Sequence, residues 1–196
     1  AITKNLVCLV DFAYQGLGEG LNEDRNGLQI LLNAGLPLLI ASSFSKNFGL
    51  YSERVGSLTV VANDSRDTDH SFSHIQAVIR SIYSSPPAHG GKIVATILGD
   101  EGLKALWIEE LNQMRSRIKE MRQAFVQGMA DRQNIVNFEF INNQKGMFSF
   151  SGLNKDQVLK LRADNHIYII ETGRINVAGI TPANVDLLCD AIARVL

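Results

Sequence analysis

The chain has 196 residues, 45 % of them hydrophobic and 20 % charged, a balance ordinary for a soluble globular protein. Its 19 basic and 20 acidic residues leave a net charge of −1, which points to neither nucleic acid nor an anionic membrane as a partner. No apolar run reaches spanning length and no signal-peptide pattern is present, while Cys8 and Cys189 each sit in an apolar run, so both are expected as reduced core residues of a cytoplasmic protein.

Ala1 to Asn5 carries no initiator methionine and leads straight into an apolar run, as in a chain that opens inside a domain. Leu6 to Phe12 (LVCLVDF) is expected as a parallel strand covered on both faces and ending in an acid. Residues from about Asn22 to Ala34 follow as a helix with Gly35 as its stop, then strands over Leu36 to Ser42 and Val55 to Ala62. Helices are expected over Asp64 to Ser81, ahead of the Pro86-Pro87 break, and over Gly90 to Leu98.

Asp100 to about Asp131 has helical periodicity, with Trp107, Leu111, Met114, Ile118, Met121 and Phe125 on one face, and at that length it is expected to bend or to span two domains. The grammar then changes. Short strands are expected over Val136 to Ile141, Met147 to Ser151 and Ile167 to Ile170, with a helix over Lys155 to Asn165 and a last one opened by Thr181-Pro182. The fold class is α/β, with a mainly parallel sheet in residues 1–112 and a smaller α+β domain in residues 113–196.

One segment carries the most chemistry. After the second strand, Ser42 to Gly56 sets Lys46 among small and hydroxylic residues, with Arg54 farther along. A lysine shielded there beside a second cation suits Schiff-base chemistry, and the hydroxyls with Arg54 suit a phosphate. Asp11 stands at the carboxyl end of its strand, where open α/β sheets place ligand sites, and Tyr14 follows it. Taken alone, a strand-end acid is commonly a cap and a loop lysine is commonly solvated. His70 and His74 share a helix face without a third ligand, so no metal site is expected.

The strings DFAYQG (Asp11 to Gly16), SSFSKNFGLYSERVG (Ser42 to Gly56), IRSIYSSPPAHG (Ile79 to Gly90), GMFSFSGL (Gly146 to Leu153) and GRINVAGITP (Gly173 to Pro182) resemble the aspartate/aromatic aminotransferases, which are fold-type I pyridoxal-phosphate enzymes. The resemblance runs in order from end to end and covers the carboxyl-terminal half of such an enzyme. It implies Lys46 as the catalytic lysine of the internal aldimine, Asp11 as the carboxylate at the pyridinium nitrogen and Tyr14 as the phenol at the cofactor's O3′. It implies Ser43 and Arg54 as phosphate ligands, Arg174 as the clamp on the substrate α-carboxylate and Phe148 as a pocket wall. Arg80 is implied to reach across a homodimer interface to the side-chain carboxylate of a dicarboxylic substrate.

The function so implied is ping-pong transamination between aspartate or glutamate, with aromatic amino acids as an extension, and a 2-oxo acid. Glu171-Thr172 stands before Gly173-Arg174 where many relatives have small residues, an added carboxylate beside the clamp. Half of the family's cofactor site lies outside the resemblance, so the rival reading is a non-catalytic fragment or assembly module, with unsatisfied strand edges and exposed apolar surface. A related lyase or decarboxylase is disfavoured by the two substrate arginines.

Overall fold

In the computed structural model, which describes residues 2–4, 6–132 and 136–196, strands β1 (Cys8–Phe12), β2 (Leu38–Ser43) and β3 (Gly56–Val61) form one sheet in that order. β1 and β2 are parallel, joined through helix α1 (Asn26–Asn33), and their register sets Asp11 opposite Ala41 and Phe12 opposite Ser42. The carboxyl ends of both strands therefore lie at the same end of the sheet. β3 runs antiparallel to β2 and places Gly56 opposite Ser43, so the segment between them returns to that end. A Cβ on Gly56 would stand 2.4 Å from the Ser42 carbonyl oxygen, which reserves the position for glycine.

The chain divides into two compact units, one of Ala1–Gly16 with Gly20–Leu111 and the other of Leu17–Glu19 with Asn112–Leu196. In the first, Leu38 and Ile40 of β2 are buried. Helix α2 (Ser65–Tyr83) starts where the Asp64 carboxylate accepts the Asp67 N–H at 2.8 Å, and no residue along it is buried. Helix α3 (His89–Gly99) buries Gly90 and Val94. Helix α4 (Glu101–Asp131) is a single α-helix whose residues belong to the first unit up to Leu111 and to the second from Asn112.

The second unit pairs two short antiparallel strands, β4 (Phe148–Phe150) and β5 (Arg174–Asn176), and adds helices α5 (Lys155–Asn165) and α6 (Val185–Val195). Its core gathers Ile118, Phe125 and Met129 of α4 with Ile141, Val158, Leu161, Cys189 and Ile192. Each large side chain buried there contributes about 1.5–3 kcal/mol against exposure. α5 opens on a reciprocal capping box between Asn154 and Gln157.

Several sequence expectations need correction. Val136 to Ile141 is not a strand. The Asn137 side chain accepts the Glu139 N–H at 2.8 Å and starts a 3-10 turn over Glu139–Asn143, burying Phe138 and Ile141 three residues apart. Ile167 to Ile170 keeps a strand's alternation, with Ile169 buried and Tyr168 and Ile170 exposed, but no strand pairs with it among the described residues. The opening strand is not covered on both faces: Leu6, Val7 and Leu9 are exposed, Leu9 at 69 %, and Cys8 is only half-buried. The last helix begins at Val185, because Thr181 donates its N–H to the Asn184 side chain in a turn that precedes it.

Candidate functional site

The turn that follows β2 is closed by backbone hydrogen bonds. Phe48 donates its N–H to the Phe44 carbonyl at 3.3 Å and Gly49 donates to that of Lys46 at 3.2 Å, a single helical turn with Lys46 inside it. Ser43, the last residue of β2, accepts the Ser45 N–H on its Oγ at 3.2 Å. Ser45 and Asn47, on either side of Lys46, are both buried. Lys46 itself is half-buried, and its Nζ lies 4.7 Å from the centroid of the Tyr14 ring. That is the range of a cation–π contact.

Asp11 occupies an outward position on β1, next to Ala41 of β2 and two residues before the buried Ala13. The carboxylate of Asp11 and the hydroxyl of Ser43 thus belong to neighbouring strands whose carboxyl ends lie at one end of the sheet. Across the segment, Arg54 holds a φ of 51°, in the left-handed region, and donates from Nη1 to the Tyr51 carbonyl at 2.8 Å. Non-glycine residues in that region carry strain, and such positions gather at ligand-holding sites. The loop is tied to α3 by His89 Nδ1 and Glu53 Oε2, 2.9 Å apart. Arg80 lies on the exposed surface of α2, with Nη1 bonded to Ser84 Oγ at 2.7 Å.

A second constellation sits in the other unit. The guanidinium of Arg174 on β5 stacks over the Phe148 ring of β4, Cζ to centroid 4.7 Å. The strand register explains the pairing: Phe148 faces Asn176 and Phe150 faces Arg174, so Phe148 and Arg174 are diagonal neighbours on one face. Both line a cleft of about 390 Å³ whose other walls include Tyr168, Ile170, Ile180 and Leu187. Glu171, three residues before Arg174, pairs with Lys155 at 2.8 Å. The bond from Lys155 pulls its carboxyl below the usual range.

Three contributors were missed from sequence. Asn47 donates from Nδ2 to the Gln15 carbonyl at 3.2 Å, while its buried Oδ1 has no hydrogen-bond partner. Trp107 donates its indole N–H to the Asn47 carbonyl at 2.7 Å and stacks on Phe48 at 4.4 Å between centroids. Arg122 is buried on α4 with bonds to Ser149 Oγ and the Gly146 carbonyl. The lone tryptophan of the chain was the available signal for the second; the stripe spacing of Ile118, Arg122 and Phe125 was the signal for the third.

Residues 1–192 match the family model of aminotransferase class I and II. The chain is 51 % identical over 196 residues to the aspartate aminotransferase of Escherichia coli K12, covering 100 % of this chain and 50 % of that protein. It is 42 % identical over 193 residues to the aromatic-amino-acid aminotransferase of the same organism, covering 98 % of this chain and 49 % of the other. A crystal structure of the aromatic-amino-acid aminotransferase from Burkholderia pseudomallei, covalently bound to pyridoxal phosphate, superposes with a TM-score of 0.95 at 42 % identity, over 100 % of this chain and 49 % of that one. The chain spans about half the length of the curated relatives it matches.

Proposed function

Because the chain belongs to the class I and II aminotransferase family, we propose that it forms part of a pyridoxal-phosphate-dependent enzyme that transfers an amino group from aspartate or glutamate, and from aromatic amino acids, to a 2-oxo acid by a ping-pong mechanism. The observation that carries this reading is the Lys46 amine 4.7 Å from the centre of the Tyr14 ring, at the end of the sheet where Asp11 and Ser43 also emerge.

The donor set fits the cofactor's chemistry: an amine for an aldehyde, a carboxylate and a phenol for a ring nitrogen and oxygen, a hydroxyl and a guanidinium for a phosphate. When bound, pyridoxal phosphate supplies the electron sink that lets a substrate Cα–H bond ionise. Lys46 Nζ anchors the cofactor and, once free, removes the proton from substrate Cα. The Asp11 carboxylate balances positive charge on the ring nitrogen, and the Tyr14 hydroxyl donates to the ring oxygen. Arg54 meets the phosphate with parallel charge-assisted bonds that a lysine could not copy. Arg174 grips the α-carboxylate while Phe148 backs it, which orients the Cα–H bond. Arg80 selects a dicarboxylate from across a homodimer. In this reading residues 1–112 belong to the large cofactor domain and residues 113–196 to the small domain, in the carboxyl-terminal half of a cytoplasmic parent.

The test is covalent. The purified chain is incubated with pyridoxal phosphate, reduced with borohydride and mapped by peptide mass. Label confined to Lys46 is the expected result. No label, or label spread over surface lysines, would show that this chain does not build the cofactor pocket alone, and the enzymatic reading would then belong only to a longer parent.

The exposure of Leu6, Val7 and Leu9 on β1, together with the half-length match, supports a second reading, in which the chain is a non-catalytic part that works only with the remainder of its parent. Amino-group transfer by the chain alone, compared with the chain plus a polypeptide supplying the other half, separates the two.

A further inference from the structure

Arg122 is 5 % exposed, and among the described residues no carboxylate pairs with it. Its two bonds run to neutral acceptors, Ser149 Oγ at 3.4 Å from Nε and the Gly146 carbonyl from Nη2. Burial alone lowers its pKa. Taking a guanidinium out of water is costly, and an apolar side chain filling the same space is often at least as stabilising. A buried cation without a counter-ion therefore asks what its bonds hold in place.

The two acceptors bracket a pair of residues. Gly146 and Ser149 stand on either side of Met147 and Phe148, and Gly146 turns the chain with a φ of +78° just before β4 begins. Ser149 points inward, 1 % exposed, opposite buried Ile175 of β5, so the alternation of the strand sends Phe148 to the other face. On that face the Phe148 ring meets the Arg174 guanidinium. The fork of Arg122 thus grips β4 at its entry and at its middle from the side opposite Phe148. An apolar residue would pack against the strand without fixing it along its length.

We propose that Arg122 is a positioning residue: by holding the Gly146 carbonyl and the Ser149 hydroxyl it sets the Phe148 ring under Arg174 and thereby fixes where a carboxylate is received. The proposal rests on the reading of Arg174 as the carboxylate clamp only for its last step. The placement of the ring is testable without it.

The experiment follows the Arg174 side-chain Nε–H resonance in the 196-residue chain, assigned through its loss in Arg174→Lys. A guanidinium over an aromatic face is shifted upfield by the ring current, and Phe148→Leu defines the position without it. Arg122→Met is expected to move the resonance toward the Phe148→Leu position while the far-ultraviolet spectrum stays unchanged. Arg122→Lys, which restores one donor, is expected to recover part of the upfield shift. An unmoved resonance in Arg122→Met would overturn the proposal. If Arg122→Met does not fold, Ser149→Ala removes a single acceptor: a smaller movement in the same direction supports the proposal, and none overturns it. Borohydride labelling of Lys46 reports on the enzymatic reading independently, so failure of one leaves the other standing.

Discussion

The indole N–H of Trp107 is bonded to the carbonyl oxygen of Asn47 at 2.7 Å, and Asn47 is the residue directly after Lys46. The Trp107 ring also stacks on Phe48, with planes 19° apart. Since Asn47 in turn donates to the Gln15 carbonyl, the Lys46 turn is fastened from two directions.

Trp107→Phe keeps the stacking and removes the bond, leaving the buried Asn47 carbonyl unsatisfied. The expected cost is about 1–3 kcal/mol in urea denaturation. Hydrogen exchange at the Phe48 and Gly49 amides, which close the turn, should quicken more than exchange in β2. Equal acceleration in both would show a general loss of stability rather than a loosened turn.

Gly173 is fixed by its surroundings as well as by its backbone. Its φ is +78°, and an added Cβ would stand 2.5 Å from the Leu153 carbonyl oxygen. Its own carbonyl accepts from the Ser151 N–H and from Ser151 Oγ at 2.7 Å, which joins the approach to β5 with the end of β4. Gly173→Ala combines left-handed strain with a backbone clash, an expected loss of about 2–4 kcal/mol. A thermal melt within a degree of the unmutated chain would show that the clash is relieved without cost.

What could be read from the sequence depended on how each residue's surroundings are encoded. The placement of Asp11, Ser43 and Lys46 was legible because apolar runs mark β1 and β2, with Asp11 and Ser43 at or near their carboxyl ends and Lys46 just beyond β2. β5 was not, since Arg-Ile-Asn over three residues is too short for alternation to register, and its partner strand β4 is distant in sequence. Ile167 to Ile170 misled in the opposite way: its alternation is real, but strand identity needs a neighbour that local pattern does not supply. Arg122 stayed hidden among the charges of α4, where an arginine is ordinarily solvated. The Arg174–Phe148 pairing is a register effect between distant segments and could come from sequence only through family resemblance.

The two thiols should behave differently. Cys189 is fully buried and donates to the Phe125 carbonyl at 3.7 Å, while Cys8 is half-buried on β1. Burial pushes the Cys189 thiol up from its ordinary 9.0 to about 11. As pH rises from about 9 to about 11 the unfolded chain gives up this proton first, so this stabilising contribution, complete below pH 9, is lost across that window. The slope attributable to Cys189 is at most about 1.4 kcal/mol per pH unit. Cys189→Ala should flatten the difference curve there, and at pH 8 a disulfide reagent should modify Cys8 in the folded chain and Cys189 only on unfolding.

Arg54 offers a case where stability and ligand binding should part. A left-handed φ of 51° costs a non-glycine residue about 1–3 kcal/mol, and Arg54→Gly removes that strain. The same change gives up the Nη1 bond to Tyr51 and frees the unfolded chain by about 0.5–1 kcal/mol, so the net effect on unfolding should stay within about 1 kcal/mol of zero. Phosphate binding should respond quite otherwise, because the guanidinium is the group proposed to meet it. Loss of charge-assisted bonds worth about 1.5–3 kcal/mol predicts pyridoxal phosphate held at least tenfold more weakly. Arg54→Lys provides the contrast, keeping strain and charge but losing the planar fork, and should bind between the two. Urea denaturation and fluorescence titration on the same samples decide the matter. If Arg54→Gly binds as tightly as the unmutated chain, the strained arginine serves the loop and not the phosphate.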